Sequence, residues 1–267
     1  MRVAPTDSPD TFHVSGRGEL HLSVLIETMR REGYELAVSK PEVVVIERDG
    51  KRMEPVEYVV IDVADDYAGA VIESLGRRRA QMLNMVAYGS QQRLEYTMPT
   101  RALFGLRGEL LTLTRGTAVI NHTYYDHQPL AGEIPHRNSG VLISAETGLA
   151  TAYALDNLQQ RGAFFIGPQA EVYEGMIVGR GKTDDDITVN VCKAKKLTNI
   201  RAAGSDEAPN LAPPEPMSLE RALEFIEDDE LVEVTPKSIR LRKRVLTEDG
   251  RRKSRLAARQ RAAAAVE

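Results

Sequence analysis

The chain has a single cysteine, Cys192, so no internal disulfide can hold it together. It also has no long apolar run and no apolar leader-like segment, which argues against export or a membrane span and makes the cytoplasm the expected compartment. No Ser/His/Asp set or carboxylate pair suggests catalysis. Five histidines are present, but His122 falls in a presumed strand and His127 beyond its end, so no metal-ligand spacing arises. Asp184, Asp185 and Asp186 have no further oxygen ligands spaced around them and read as a solvated turn. Cys192 stands beside lysines that would favour some thiolate character, yet no neighbouring base accompanies it. No catalytic residue, metal ligand or cofactor is therefore assigned to the chain.

What is present starts with residues 54–127, which read as one small pattern written twice. Glu54–Val63 alternates as a strand, and Tyr67–Arg79 then places Ala68, Val71, Ile72 and Leu75 on one helical face before a strand at Gln81–Tyr88. The pattern recurs with a strand at Arg93–Met98, a helix at Arg101–Arg115 carrying Leu103, Leu106, Leu110 and Leu113, and a strand at Thr117–Tyr125. The order βαββαβ is that of a ferredoxin-like unit. Asp65 and Asp66 are candidate caps for the first helix, Arg77, Arg78 and Arg79 complement its dipole, and Gly116 closes the second helix.

With 267 residues the chain has room for about two domains. Ahead of the platform, Phe12–Ser15 reads as a strand, Gly18 opens a helix reaching about Gly33 with Leu20 and Val24 facing inward, and Leu36–Val38 resumes extended character. Such a lone βαβ segment buries too little to stand alone; either it packs on the platform or its other half is missing. Beyond Pro129, Gly140–Ser144, Leu149–Ala154, Ala163–Ile166, Ala170–Val178 and Ile187–Val191 are candidate strands, with a short helical turn at Asp156–Arg161. Ser218 is placed to cap a later helix carrying Leu219, Ala222, Leu223 and Ile226 on one face. The expected class is α+β: a partial ferredoxin-like segment over 1–48, a complete ferredoxin-like domain over 49–127, and a mostly β domain with a helix and basic tail over 128–267.

Charge is unevenly placed. The net charge is −4, yet Thr235–Arg261 holds eleven Lys and Arg against two acids, and Glu220–Glu233 just before it holds seven acids and one Arg.

Several long motifs occur in order along the chain: Ser15-Gly-Arg-Gly-Glu-Leu-His-Leu22, Pro99-Thr-Arg-Ala-Leu-Phe-Gly-Leu-Arg107, Gly140-Val-Leu-Ile-Ser144, Glu171-Val-Tyr-Glu-Gly175, Lys195-Lys-Leu-Thr-Asn199 and Leu231-Val-Glu-Val-Thr-Pro-Lys-Ser-Ile-Arg240. Together they resemble the C-terminal portion of the BipA/TypA family of translational GTPases, whose members share domains with elongation factor G. The resemblance implies that 1–48 corresponds to part of the family's third domain, 49–127 to its elongation-factor-G-type C-terminal domain, and the remainder to a domain peculiar to the family. It also implies GTP and Mg²⁺ as ligands of a full-length relative. This chain has no G-x-x-x-x-G-K-[ST]; Gly175–Thr183 comes near, but its glycine spacing is wrong and it reads as a loop between extended stretches. Hydrolysis of GTP by the chain alone is not expected.

The candidate contact residues are cationic. Lys193, Lys195, Lys196, Asn199 and Arg201 form one cluster on a presumed loop, where Gly204 and Ser205 let backbone approach a partner. Their bland reading is a solvated strand end; the resemblance implies contact with ribosomal RNA and the acceptor end of tRNA. Lys237, Arg240, Arg242, Lys243 and Arg244 form a second cluster, and Arg251–Arg261 continues it, either as phosphate-binding surface or as an end folded back on the acidic helix. Aromatics are only 5%, so phosphate contacts rather than base stacking should dominate. The expected activity is ribosome binding. Two alternatives are a subunit that works with a separately encoded GTP-binding polypeptide, and a truncated fragment exposing apolar surface around Leu20–Ile46.

Overall fold

The computed structural model describes residues 1–132, 134, 137, 139–194 and 210–264. It divides into two compact units, Met1–Lys40 with Asn138–Glu267, and Pro41–Arg137. The first forty residues thus share a unit with the C-terminal region and not with the platform as expected, because Leu36–Ser39 finds its ladder partner in the Glu230–Val234 strand. They comprise an antiparallel hairpin of β1 (Arg2–Pro5) and β2 (Phe12–Ser15), then α1 (Glu19–Arg31), then β3 (Leu36–Ser39). Gly33 adopts φ +95° just past α1 and lets the chain turn back on the helix end, with the Tyr34 amide donating to the Met29 carbonyl.

The second unit is the ferredoxin-like platform. Its elements are β4 (Ile46–Arg48), β5 (Lys51–Ala64), α2 (Asp65–Arg77), β6 (Gln81–Tyr88), β7 (Gln91–Pro99), α3 (Leu106–Leu113) and β8 (Val119–Pro129). β8 and β7 flank β5, β6 lies outside β7, and all pairs are antiparallel, which is the strand order of a split βαβ fold. Val59, Ile61, Val71, Leu75, Leu94, Met98, Leu106 and Leu110 make its core, so the helical stripes legible in the sequence are the buried ones. The second helix is shorter than its periodicity suggests. Thr100–Leu103 is a 3₁₀ turn and Gly105 takes φ +67°, which breaks the run before α3.

The helix ends of the platform also differ from expectation. Asp65 and Asp66 sit in the first turn of α2, and Ala64 occupies the cap without a side-chain bond. Arg78 does not serve the dipole. Its guanidinium turns inward, donating to the carbonyls of Ala102 and Phe104 and pairing with Glu109 at 2.7 Å, while the Ser74 hydroxyl donates to the same carboxylate. Burial raises the Glu109 pKa, but the Ser74 and Arg78 bonds outweigh it and hold the carboxyl below its usual range. That stabilisation is complete above the unfolded carboxyl value of about 4.3 and is lost as pH falls through the lower folded value.

The C-terminal region of the first unit adds β9 (Val141–Ser144), β10 (Gly148–Leu149), α4 (Ala152–Leu158), β11 (Gly162–Phe164), β12 (Glu171–Val172), β13 (Met176–Gly181), β14 (Ile187–Val189), α5 (Leu219–Phe225), β15 (Glu230–Val234), β16 (Ile239–Lys243) and α6 (Glu248–Ala264). One sheet runs β14-β9-β13-β16-β15-β3, with β11 also on β13. β9 is buried on both faces: Val141 and Ile143 join the core under α5, and Leu142 joins the one around Leu155, Val178 and Val191. Gly140 is required where it stands, because a Cβ there would meet the Asp185 carbonyl at 2.2 Å.

Several expectations are corrected here. Leu149–Ala154 is a two-residue strand followed by α4, because the Thr151 hydroxyl caps that helix by accepting from the Ala154 amide. Gly175–Thr183 is a turn and the strand β13 rather than a loop, with no strand-to-helix phosphate cradle. α1 lays Ser23 and Ile26 inward and leaves Leu20 75% and Val24 57% exposed. The reason is tertiary: β3 pairs with β15 from Leu36↔Val234 to Ser39↔Leu231, and that pairing fixes which side of α1 meets the core containing α5.

Arg78→Ala leaves the Glu109 carboxylate and two carbonyls without their donor. It should lower platform stability by about 2–3 kcal/mol, less than a fully buried pair because Glu109 is partly exposed. Urea denaturation checks this, and the loss relative to wild type should shrink as pH falls through the lowered folded value of Glu109.

Candidate nucleic-acid interface

β16 carries the second cationic cluster, and strand alternation decides what each residue can do. Side chains of Ile239, Leu241 and Lys243 share one face and those of Arg240 and Arg242 the other, about 7 Å apart along the strand. Leu241 is buried in the core, so Lys243 goes inward with it. Its ammonium, with a side chain 3% exposed, lies 2.8 Å from Asp186, 3.0 Å from Asp229 and 2.8 Å from Glu230. Burial alone would lower the Lys243 pKa; Glu230, Asp186 and Asp229 more than reverse this and hold it above the usual lysine value. Lys243 is therefore a structural charge, not a phosphate ligand. The alternation Ile239-Arg240-Leu241-Arg242-Lys243 contains that signal, but charge clustering obscures it.

The remaining cations of the cluster stay outside the core. Lys237 is exposed in the turn between β15 and β16, a turn closed by the Thr235 hydroxyl, which bonds both the Ser238 carbonyl and hydroxyl. Arg240 and Arg242 are half-buried, with Arg240 opposite Glu233 in the ladder and the Arg242 Nε 2.8 Å from the Glu233 carboxylate. The Tyr173 hydroxyl donates to Glu233 as well, and burial followed by that carboxylate pushes the phenol well above its ordinary range. Arg244 is exposed beyond the strand.

The first cluster is described only at its start. Lys193 is exposed, and its carbonyl accepts from the Thr151 hydroxyl, so the same residue that caps α4 pins the backbone at the start of the cluster. Lys195, Lys196, Asn199 and Arg201 lie outside the described residues. Next to Lys193, the Cys192 thiol is pushed up in pKa, first by burial and then by Glu146, which removes the thiolate character its lysine neighbours suggested.

The basic end is a helix, α6. Arg251 is buried, donating to the carbonyls of Val245 and Leu246, and Arg255 reaches Asp186 at 3.0 Å. Asp186 is accordingly no solvated turn residue; it accepts the Val141 amide and binds Lys243 and Arg255. Arg252 and Lys253 remain exposed.

Elsewhere the histidines do not converge. His122 Nδ1 lies 2.7 Å from Glu57, and His127 Nδ1 lies 2.7 Å from the Tyr124 hydroxyl. Among the described residues no three His, Cys, Asp or Glu side chains are grouped to hold a metal. No helix there is long and apolar enough to cross a membrane.

Comparison with known proteins agrees with this architecture. The family model of the TypA/BipA C-terminal domain matches residues 139–248, and that of the elongation factor G C-terminus matches 51–138. The chain is 52% identical over 256 residues to the large ribosomal subunit assembly factor BipA of Bacillus subtilis strain 168, an alignment covering 95% of this chain and 42% of that protein. The chain belongs to the BipA/TypA family, as a C-terminal portion. BipA proteins of Salmonella typhimurium strain LT2 and Escherichia coli strain K12 are each 53% identical over the same length and are likewise spanned to 42%. The ferredoxin-like platform coincides with the elongation factor G match, and the sheet from β9 to β16 with the BipA match. Most of α6 lies past the matched residues.

Removing Lys243 tests its assignment. Lys243→Ala strands three carboxylates and should cost about 3–5 kcal/mol of stability, whereas Lys237→Ala, on an exposed turn, should stay within about 0.5 kcal/mol of wild type. Thermal and urea melts of the two variants separate the roles.

Proposed function

We propose that this chain is an RNA-docking module of a cytoplasmic, ribosome-associated BipA/TypA protein. The observation that carries the reading is the sorting of cations along β16: Lys243 is spent inside, while Lys237, Arg240, Arg242 and Arg244 stay on the outer side. Relatives named large ribosomal subunit assembly factors make ribosomal RNA the preferred partner, with the acceptor end of tRNA second. In this reading Lys193, Lys195, Lys196, Asn199 and Arg201 form a second set of contacts. With few aromatics to stack, phosphate neutralisation supplies most of the affinity. GTP and Mg²⁺ are ligands of the full-length family, and the residues here do not fit them: the one P-loop-like stretch, Gly175–Thr183, ends in a strand and turn. No hydrolytic step is derived for this chain.

Co-sedimentation with ribosomes across a salt series tests the reading. If about six cations neutralise phosphates, affinity should fall about a thousandfold between 50 and 200 mM salt. A Lys193→Glu, Lys195→Glu, Lys196→Glu variant should lose pelleting at salt where wild type is retained. Pelleting that is absent at low salt, or indifferent to both salt and charge reversal, would overturn it.

A second reading is favoured by the exposed Leu20 and Val24 on α1 and by β3, which among the described residues ends its sheet. Those features fit a subunit completed by a separate GTP-binding polypeptide. Co-expression with such a domain from a relative should yield a complex on co-purification and protect Leu20 and Val24; two species eluting apart would sink it.

A further inference from the structure

Residues 210–216 cross the surface of the C-terminal region as a strap fastened at both ends. The Gln159 side chain clasps one end, donating to the Asn210 carbonyl and accepting from the Ala212 amide. At the other end the Glu215 amide donates to the Phe164 carbonyl, and the Glu215 carboxylate is held by Arg180 and Arg221. Between the clasps run Pro213 and Pro214, which have no amide hydrogens to bond the sheet beneath. A cavity of about 600 Å³ lies under this bow.

The cavity walls are chiefly apolar, formed by Phe164, Ile166, Leu211 and the two prolines, with Gln160 and Lys182 also lining it. Phe164, Ile166 and Leu211 are only partly buried, so their faces are available to a guest, and Gln160 and Lys182 are exposed. An apolar cavity with an amide and an ammonium beside it suits a heterocyclic ring joined to an anion. The carboxylate of Glu215 does not oppose that charge, being already bound to two arginines. In sequence the strap follows the candidate contacts Lys193, Lys195, Lys196, Asn199 and Arg201.

We infer that the cavity beneath the Pro213-Pro214 strap receives one unpaired RNA nucleotide, its base between Phe164 and the prolines and its phosphate on Lys182. The inference rests on the RNA-docking reading and adds a base-sized receptor to it. It supplies the stacking that the low aromatic content otherwise denies, and it predicts a preference for single-stranded over fully paired RNA.

The test is titration of the full chain with a single-stranded RNA octamer containing 2-aminopurine, against the same octamer with an abasic site in its place. Wild type should quench the aminopurine and bind the intact octamer about tenfold tighter than the abasic one. Gly167 lines the cavity and a Cβ there meets nothing within 4 Å, so Gly167→Trp is the variant chosen to occupy the space. That variant should melt like wild type, lose the quenching, and bind both octamers equally with an unchanged salt slope. Lys182→Ala, at an exposed position that folding does not depend on, should lower the slope by about one. Equal binding of the two octamers by wild type, with Gly167→Trp indistinguishable, overturns the cavity while leaving the docking reading intact. Failure of either octamer to bind at low salt overturns the docking reading and the cavity with it.

Discussion

The C-terminal region depends on one buried ammonium. Lys243 reaches Asp186 before β14, and the adjacent Asp229 and Glu230 at the start of β15, so a single point charge ties two separate stretches of chain to the end of β16. Burying an ammonium is costly unless the carboxylates around it are already held in place. Here they are: Asp186 accepts the Val141 amide, and Glu230 accepts the Glu227 amide. A slip of β16 by one residue would drive Arg242 into that carboxylate nest and Leu241 into solvent, so the hub specifies register as well as stability.

That register is what creates the outward cationic edge. With Leu241 and Lys243 committed inward, Arg240 and Arg242 must face away from the core, where Glu233 and Tyr173 organise them. Glu233 then competes with any phosphate for Arg242, and exchange of one anion for the other costs less than stripping a solvated guanidinium would suggest, because Arg242 is already oriented. The same economy of charge extends to α6, whose Arg255 shares with Lys243 the Asp186 oxygen that the Val141 amide leaves free, while Arg252 and Lys253 stay outside. The acidic stretch of Glu220–Glu233 therefore serves internal cations at particular atoms instead of acting as a diffuse counter-charge.

The platform was legible almost element by element, because its helices carry apolar residues at helical spacing and its strands are bounded by Gly, Pro or charge. Val71 with Leu75, and Leu106 with Leu110, are buried as their spacing requires. The inward turn of Arg78 was not legible, since nothing local announces that the Ala102 and Phe104 carbonyls will need a donor. Lys243 was legible only in part: its parity with Leu241 is written in the sequence, whereas the carboxylates that receive it come from positions as distant as Asp186.

What the sequence by itself determined is periodicity, punctuation and the amount of charge, which suffice for a ferredoxin-like unit, a capped α5 and a surplus of cations near the C-terminal end. Only the tertiary structure decided which side of each element is used. β3 joins β15, and that non-local ladder turns Ile26 inward and leaves Leu20 outside, although either side of α1 offers apolar residues. Local propensity depends on neighbours along the chain, whereas burial depends on which distant segment arrives to cover a face. For this chain, the second sorts structural cations from those left on the outer side of β16.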